Sequence, residues 1–170
     1  MDGNTIYDTH FNGNEWFVIG VTVIAFAFIW LLPRTFSSVQ TAFNMLIGIA
    51  FGLVIDHTLN VPPFDLYDLG DQTKYEIFDM MSYIMYAPFG YWFIYWYKRL
   101  RMYDLLIIPY ILLWVGIALG LEWMAVKVGV FHYKHGYQLI YSFPVYLFLM
   151  STHLVMYRTA FAQHRWERPS

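Results

Sequence analysis

Apolar positions fall into five long runs, at about residues 16–32, 40–55, 77–97, 103–126 and 137–157, with short polar segments between them. Crossing a hydrocarbon core takes roughly 20 such residues, slightly fewer where the ends snorkel. Each run therefore predicts a membrane-spanning helix, and the chain an all-α bundle of five. The punctuation agrees. Pro33 and Arg34 close the first run, Asp56 and His57 the second, and Lys98, Arg99 and Arg101 the third. Proline cannot continue a helical ladder, and arginine belongs at the headgroups. Residues 58–75 read as a polar loop carrying Pro62-Pro63 and the acids Asp65, Asp68 and Asp71. No repeat, soluble domain or linker interrupts the pattern, so residues 1–170 are expected to form a single transmembrane domain.

The polar positions inside the runs are periodic too. In the second run Asn44, Gly48, Gly52 and Asp56 recur every four residues and share one face of a helix. Glu76, Asp79, Tyr83, Tyr86 and Gly90 follow a three-and-four spacing in the third, and Ser142, Tyr146, His153 and Tyr157 form a similar stripe in the fifth. The fourth run is expected to end on Glu122, with Ala118 one turn below and Gly116-x-x-x-Gly120 on a neighbouring face. An ionisable side chain in hydrocarbon is costly and usually faces the bundle interior with a partner. The acids at the span ends thus predict an outward-facing carboxylate and histidine pocket: Glu122, Asp56, Asp79, Glu76 and His57, with Tyr83, Ser142 and Tyr146 beside them. Asn44 and His153 extend a thinner polar path towards the other side. Plainer roles exist for each. Both Gly-x-x-x-Gly pairs let helices approach closely, tyrosine faces serve as core or interface, Asp56 and Glu76 can be solvated helix ends, and a hydrogen bond to a tyrosine or histidine would satisfy Glu122.

Charge supplies the orientation. With five spans the termini lie on opposite sides. An external amino terminus puts seven basic residues inside (Arg34, Lys98, Arg99, Arg101, Arg158, Arg165, Arg168) and three outside (Lys74, Lys127, Lys134), as the positive-inside rule prefers. Residues 1–14 contain acids but no Lys or Arg, unlike the basic start of a secretory signal, and read as a short translocated tail. Trp16, Trp92, Trp96, Trp123 and Trp166 fall near span ends, where amphipathic rings anchor to the interface.

Composition confirms the solvent. AVILMFWYC make up 59% of the chain and charged residues 13%, more apolar surface than a soluble domain of this length buries. The expected location is the cell membrane, multi-pass, with the lipid bilayer as the first partner. A net charge of -2 with dispersed basic residues excludes a nucleic-acid interface. The absence of cysteine excludes a disulfide, a thiolate nucleophile and Cys-ligated metals. A metal would need His, carboxylate or carbonyl ligands, and His132-Tyr-Lys-His135 offers two imidazoles within one turn. Those two residues are the metal candidates, although their spacing matches no established zinc motif.

The five spans, Leu32-Pro33-Arg34, Asp56, Glu122, Tyr133, and a fifth span carrying Ser142 and Tyr146 together resemble a group of small membrane proteins of unassigned function from spore-forming Gram-positive bacteria. The resemblance covers about residues 16–157 and implies the span count, the topology and a bacterial source. It carries no activity and no cofactor. A tryptophan is expected in such proteins near the position of His135, where this chain differs.

Three functions fit these residues. The first is binding or transport of a cation, a proton or a small cationic molecule, because a buried carboxylate beside an imidazole titrates near neutral pH. The second is an accessory or assembly subunit that packs against itself or another membrane protein through its glycine faces. The third is an intramembrane metal-dependent enzyme acting on a lipid-like substrate, for which no nucleophile with a base and an orienting group is visible.

Overall fold

The structure, a computed structural model, describes Tyr7 and residues 10–70 and 77–161, with side chains from residue 80 onward in the second stretch. Asp71, Lys74, Glu76, Arg165, Trp166 and Arg168 lie outside the described residues, as does the side chain of Asp79.

The described residues are 75% helix, in five long helices. The first, α1 (Gly13–Leu31), begins three residues earlier than the apolar pattern predicts, because Asn12 and Glu15 form a capping box. The Asn12 side chain accepts the Asn14 amide at 3.2 Å, and Glu15 accepts the Asn12 amide at 2.7 Å. These bonds satisfy amides that a helix start leaves without partners. Ser37 and Gln40 repeat the device at the start of α2 (Ser38–Leu59). That helix continues past Asp56 and His57, so Asp56 lies inside its last turns and not at its end. Likewise α4 (Ile107–Lys127) runs five residues beyond Glu122. The remaining helices are α3 (Ile77–Arg99) and α5 (Ser142–Phe161), the latter led in by a 3-10 turn at Leu139–Tyr141 where the pattern predicts helix.

Four of these segments, α1, α2, α4 with its leading turn and α5 with its leading turn, are long and apolar enough to cross a membrane. They fit an integral membrane protein. The described part of α3 falls short of that apolarity: it carries five tyrosines between residues 83 and 97, Pro88 in its interior, and Lys98-Arg99 at its end. It is instead the most enclosed helix, with Phe93, Ile94 and Tyr95 almost completely buried.

Helix α3 packs most extensively on α2 and then on α1. The α2 contact depends on missing side chains. A Cβ on Gly48 would collide with the Tyr86 carbonyl, and one on Gly90 with the Asn44 carbonyl. Gly116 and Gly120 differ, since a Cβ at either meets nothing within 4 Å. The expectation that both glycine pairs join helices therefore holds within the chain for the first pair only. Trp92 and Trp96 pack against the core rather than standing free as interfacial anchors, whereas Trp16 and Trp123 are exposed.

The polar loop after α2 and the segment between the fourth and fifth apolar runs each contain a strand: β1 (Tyr67–Leu69) follows α2, and β2 (Phe131–Tyr133) follows α4. They pair antiparallel, with Tyr67 opposite Tyr133, Asp68 opposite His132 and Leu69 opposite Phe131. Directly opposed residues share a sheet face. This small sheet caps the end of the bundle where α2 and α4 finish. Two apolar clusters lie beneath it. One, near the cap, is Val18, Met85, Ala125 and Val130; the other includes Phe93, Ile94, Tyr110, Trp114, Leu154 and Tyr157.

Candidate functional site

Between the two clusters lies a cavity of about 180 Å³, walled by side chains of all five helices and both strands. The periodic stripes of the sequence lead into it: Gly48, Gly52 and Asp56 from α2, Tyr86 and Gly90 from α3, Ala118 and Glu122 from α4, and Ser142, Tyr146 and His153 from α5. Most of the remaining wall is aromatic or aliphatic, including Phe17, Phe51, Phe93 and Trp114. Among the described residues that line it there is no Lys or Arg.

Two buried carboxylates reach this space, and each is held by a tyrosine from the cap. Asp56, 3% exposed, accepts the Tyr67 hydroxyl at 2.5 Å. Glu122, 7% exposed, accepts the Tyr133 hydroxyl at 2.6 Å. Because Tyr67 and Tyr133 are register partners, one pair of opposed residues on the inner sheet face serves both acids. The same Glu122 oxygen, Oε1, also accepts the Ser142 hydroxyl at 2.7 Å, and Ser142 is in turn 2.9 Å from the Tyr137 hydroxyl. The second oxygen, Oε2, is buried and has no hydrogen-bond partner among the described residues.

Every recorded donor to Glu122 is a neutral hydroxyl. Burial pushes the Tyr133 phenol up, and its bond to the Glu122 carboxylate adds to that. Burial likewise raises Tyr67, reinforced by the negative charge of Asp56. Both rings therefore remain proton donors. The nearby cations are occupied elsewhere: Lys134 binds Asp65 at 2.7 Å and Asp68 at 3.1 Å, and Lys127 lies over the Trp123 ring.

The outer face of the sheet is a separate assembly. Tyr7 donates to Asp68 at 2.7 Å and stacks on His132 with ring centroids 3.8 Å apart. Burial and the Asp68 carboxylate push the Tyr7 phenol up to about 12. His135 is exposed, at positive φ, with its ring 2.8 Å from the Asp65 carbonyl. The two imidazoles proposed as metal ligands are thus engaged separately. Among the described residues no group of three or more His, Asp or Glu is placed to hold a metal ion.

Of the other residues singled out by sequence, Ser142 and Tyr146 share the cavity with Asp56 and Glu122. His57 is exposed, its ring 2.9 Å from the Leu53 carbonyl, and Tyr83 is buried outside the lining. Glu76 lies outside the described residues, and the side chain of Asp79 does too. At the far end, His153 Nε2 sits 3.1 Å from the Asn44 side-chain oxygen, while the Asn44 amide donates to the Gln40 carbonyl. The two residues expected to extend the polar path are thus hydrogen-bond neighbours, with His153 also lining the cavity.

Sequence reasoning missed Tyr67 and Tyr137, and named Tyr133 only within the resemblance, without a role at the site. The signal for Tyr67 and Tyr133 is the period-two alternation Tyr67-x-Leu69 and Phe131-x-Tyr133, three residues long and hidden in loops. No known family model matches the chain, and no curated protein or solved structure matches it either.

Proposed function

We propose that the chain is a five-span protein of the cell membrane, amino terminus outside, whose capped pocket binds a cation or a small cationic molecule. One observation carries this reading. Glu122 is buried with one oxygen held by hydroxyls and the other without a hydrogen-bond partner among the described residues, in a cavity whose described lining holds His153 but no Lys or Arg. Leaving a carboxylate buried without a compensating charge costs several kcal/mol. A bound cation offsets that cost. Tyr86, Tyr146 and Phe131 supply ring surfaces suited to the same charge.

Two experiments test it. Cation binding should be lost in Glu122→Gln while the variant stays folded; unchanged binding removes Glu122 from the site. The orientation is tested by single cysteines, which label unambiguously because the chain has none of its own. An impermeant maleimide should reach His135→Cys in intact cells and Leu100→Cys only after lysis. The reverse pattern inverts the topology.

A second reading, a subunit of a membrane complex, draws support from Gly116 and Gly120, whose side of α4 has nothing within 4 Å of an added Cβ. Gly116→Leu would then abolish co-purification of a stoichiometric partner. Isolation without one from native membrane counts against it.

A further inference from the structure

We infer that the ligand of this pocket is a protonated primary or secondary amine on a small apolar body, bound by its N–H to Glu122 Oε2. The inference rests on the cation-binding reading and narrows it by three features.

The first is the acceptor. Oε1 already takes two hydroxyl donors at 2.6 and 2.7 Å, whereas Oε2 is buried without a donor at hydrogen-bonding geometry, the Tyr146 hydroxyl lying close to the carboxylate. A vacant carboxylate oxygen calls for a donor, and an ammonium N–H supplies both the hydrogen bond and the charge. A quaternary ammonium would bring the charge alone.

The second is the size and surface of the space. A cavity of about 180 Å³ is far larger than a bare inorganic ion requires. Apolar cavities of about 150 Å³ take up molecules the size of benzene. Away from the carboxylates the wall is apolar except for His153, running past Ala118 to Phe93 and Trp114, so a ligand filling it carries hydrocarbon opposite its charged end.

The third is the ligand set. An alkali or divalent ion wants about six or more oxygens close together. Among the described residues no three His, Asp or Glu gather for one, and the hydroxyls of Tyr133 and Ser142 point their protons at Glu122. A phospholipid amine has the right head, but its phosphate would sit close to Asp56 and Glu122. A free amine is therefore the ligand assigned.

The test uses the full chain in phosphatidylcholine nanodiscs, titrated calorimetrically with benzylammonium, trimethylbenzylammonium, benzyl alcohol, and the chlorides of sodium, potassium and calcium. Benzylammonium should bind saturably, one per chain. Binding should weaken on the order of tenfold to a hundredfold in Glu122→Gln, the range for a lost charged hydrogen bond. Benzyl alcohol and the trimethyl compound should show a similar deficit against the parent protein. Ala118→Leu, which narrows the cavity but keeps Glu122 and its donors, should also weaken benzylammonium, and it carries the test if Glu122→Gln does not fold. Equal binding of the trimethyl compound overturns the N–H contact. Binding of an inorganic ion but not of benzylammonium, lost in Glu122→Gln, overturns the amine while leaving the cation reading intact. If no cation binds, or if benzyl alcohol binds as well as the amine in both parent and Glu122→Gln, both readings fall. Displacement of benzylammonium by phosphatidylethanolamine added to the discs overturns the free amine in favour of a lipid headgroup.

Discussion

At the scale of single residues, Glu122 joins two jobs that substitutions can separate. Its Oε1 ties α4 to α5 through Ser142 and to the cap through Tyr133, and its Oε2 has no hydrogen-bond partner among the described residues, with the Tyr146 hydroxyl near the carboxylate. Removing a donor from a buried, charged acceptor costs about 1–3 kcal/mol. Ser142→Ala and Tyr133→Phe are each expected to lower stability by roughly that amount in detergent unfolding. Because both donors serve one oxygen, their effects should be non-additive in a double-mutant cycle. Glu122→Gln keeps an oxygen for both donors and removes the buried charge, so its midpoint should equal or exceed the parent's even as ligand binding falls. A loss as large as that of Ser142→Ala would instead make Glu122 a structural acceptor. Glu122 was legible in the sequence because an acid so deep in an apolar run is expensive. Of its two donors, Ser142 was legible in the polar stripe of the fifth run, whereas the role of Tyr133 was not, since a tyrosine in a loop is ordinary there.

At the scale of elements, the four-residue stripe of α2 was legible because helical geometry alone puts Asn44, Gly48, Gly52 and Asp56 on one face, and that face is the one turned inward. The use of each glycine was not legible, since the motif says nothing of what lies opposite. Gly48 and Gly90 face carbonyl oxygens of the opposing backbones, which cannot swing away, and overpacking costs about 1–3 kcal/mol even where side chains can shift. Gly48→Ala and Gly90→Ala should thus destabilise by at least about that much. Gly116→Ala should change the monomer's stability by less than about 0.5 kcal/mol, as open sites usually do. Equal losses at Gly48 and Gly116 would show that the α2 and α3 backbones do not approach as closely as described. At Gly52 the opposing atoms belong to the Tyr86 ring instead of backbone. Gly52→Ala should accordingly push that ring into the cavity and weaken ligand binding before it weakens the fold.

At the scale of the whole molecule, the α2–α3 and α4–α5 connections are locked together over the pocket, an association between distant loops that helical periodicity could not foretell. Lys134 is the bolt, joining the β2 side to Asp65 and Asp68 on the β1 side. Desolvation pulls its pKa down, but the hydrogen bonds to Asp65 and Asp68 outweigh it, and the net direction is up from 10.5. A group raised in the folded state contributes stability that is complete below its unfolded pKa and is lost as pH rises through the folded value. From the lysine side, then, the lock is fully formed below about pH 10 and loosens only in stronger alkali. Lys134→Met leaves Asp68, 2% exposed, with Tyr7 as its remaining recorded donor, and should cost the cap about 1–3 kcal/mol, the range for hydrogen bonds to charged groups. Amide exchange should read this locally, with protection falling at residues 67–69 and 131–133 while α3 keeps its own. Since Tyr67 and Tyr133 lie on the same strands, a looser cap also releases the donors of both carboxylates, and amine association and dissociation should both quicken. Exchange confined to the cap with unchanged binding rates would mean that ligands reach the cavity between helices from the bilayer, leaving the sheet as a fixed lid.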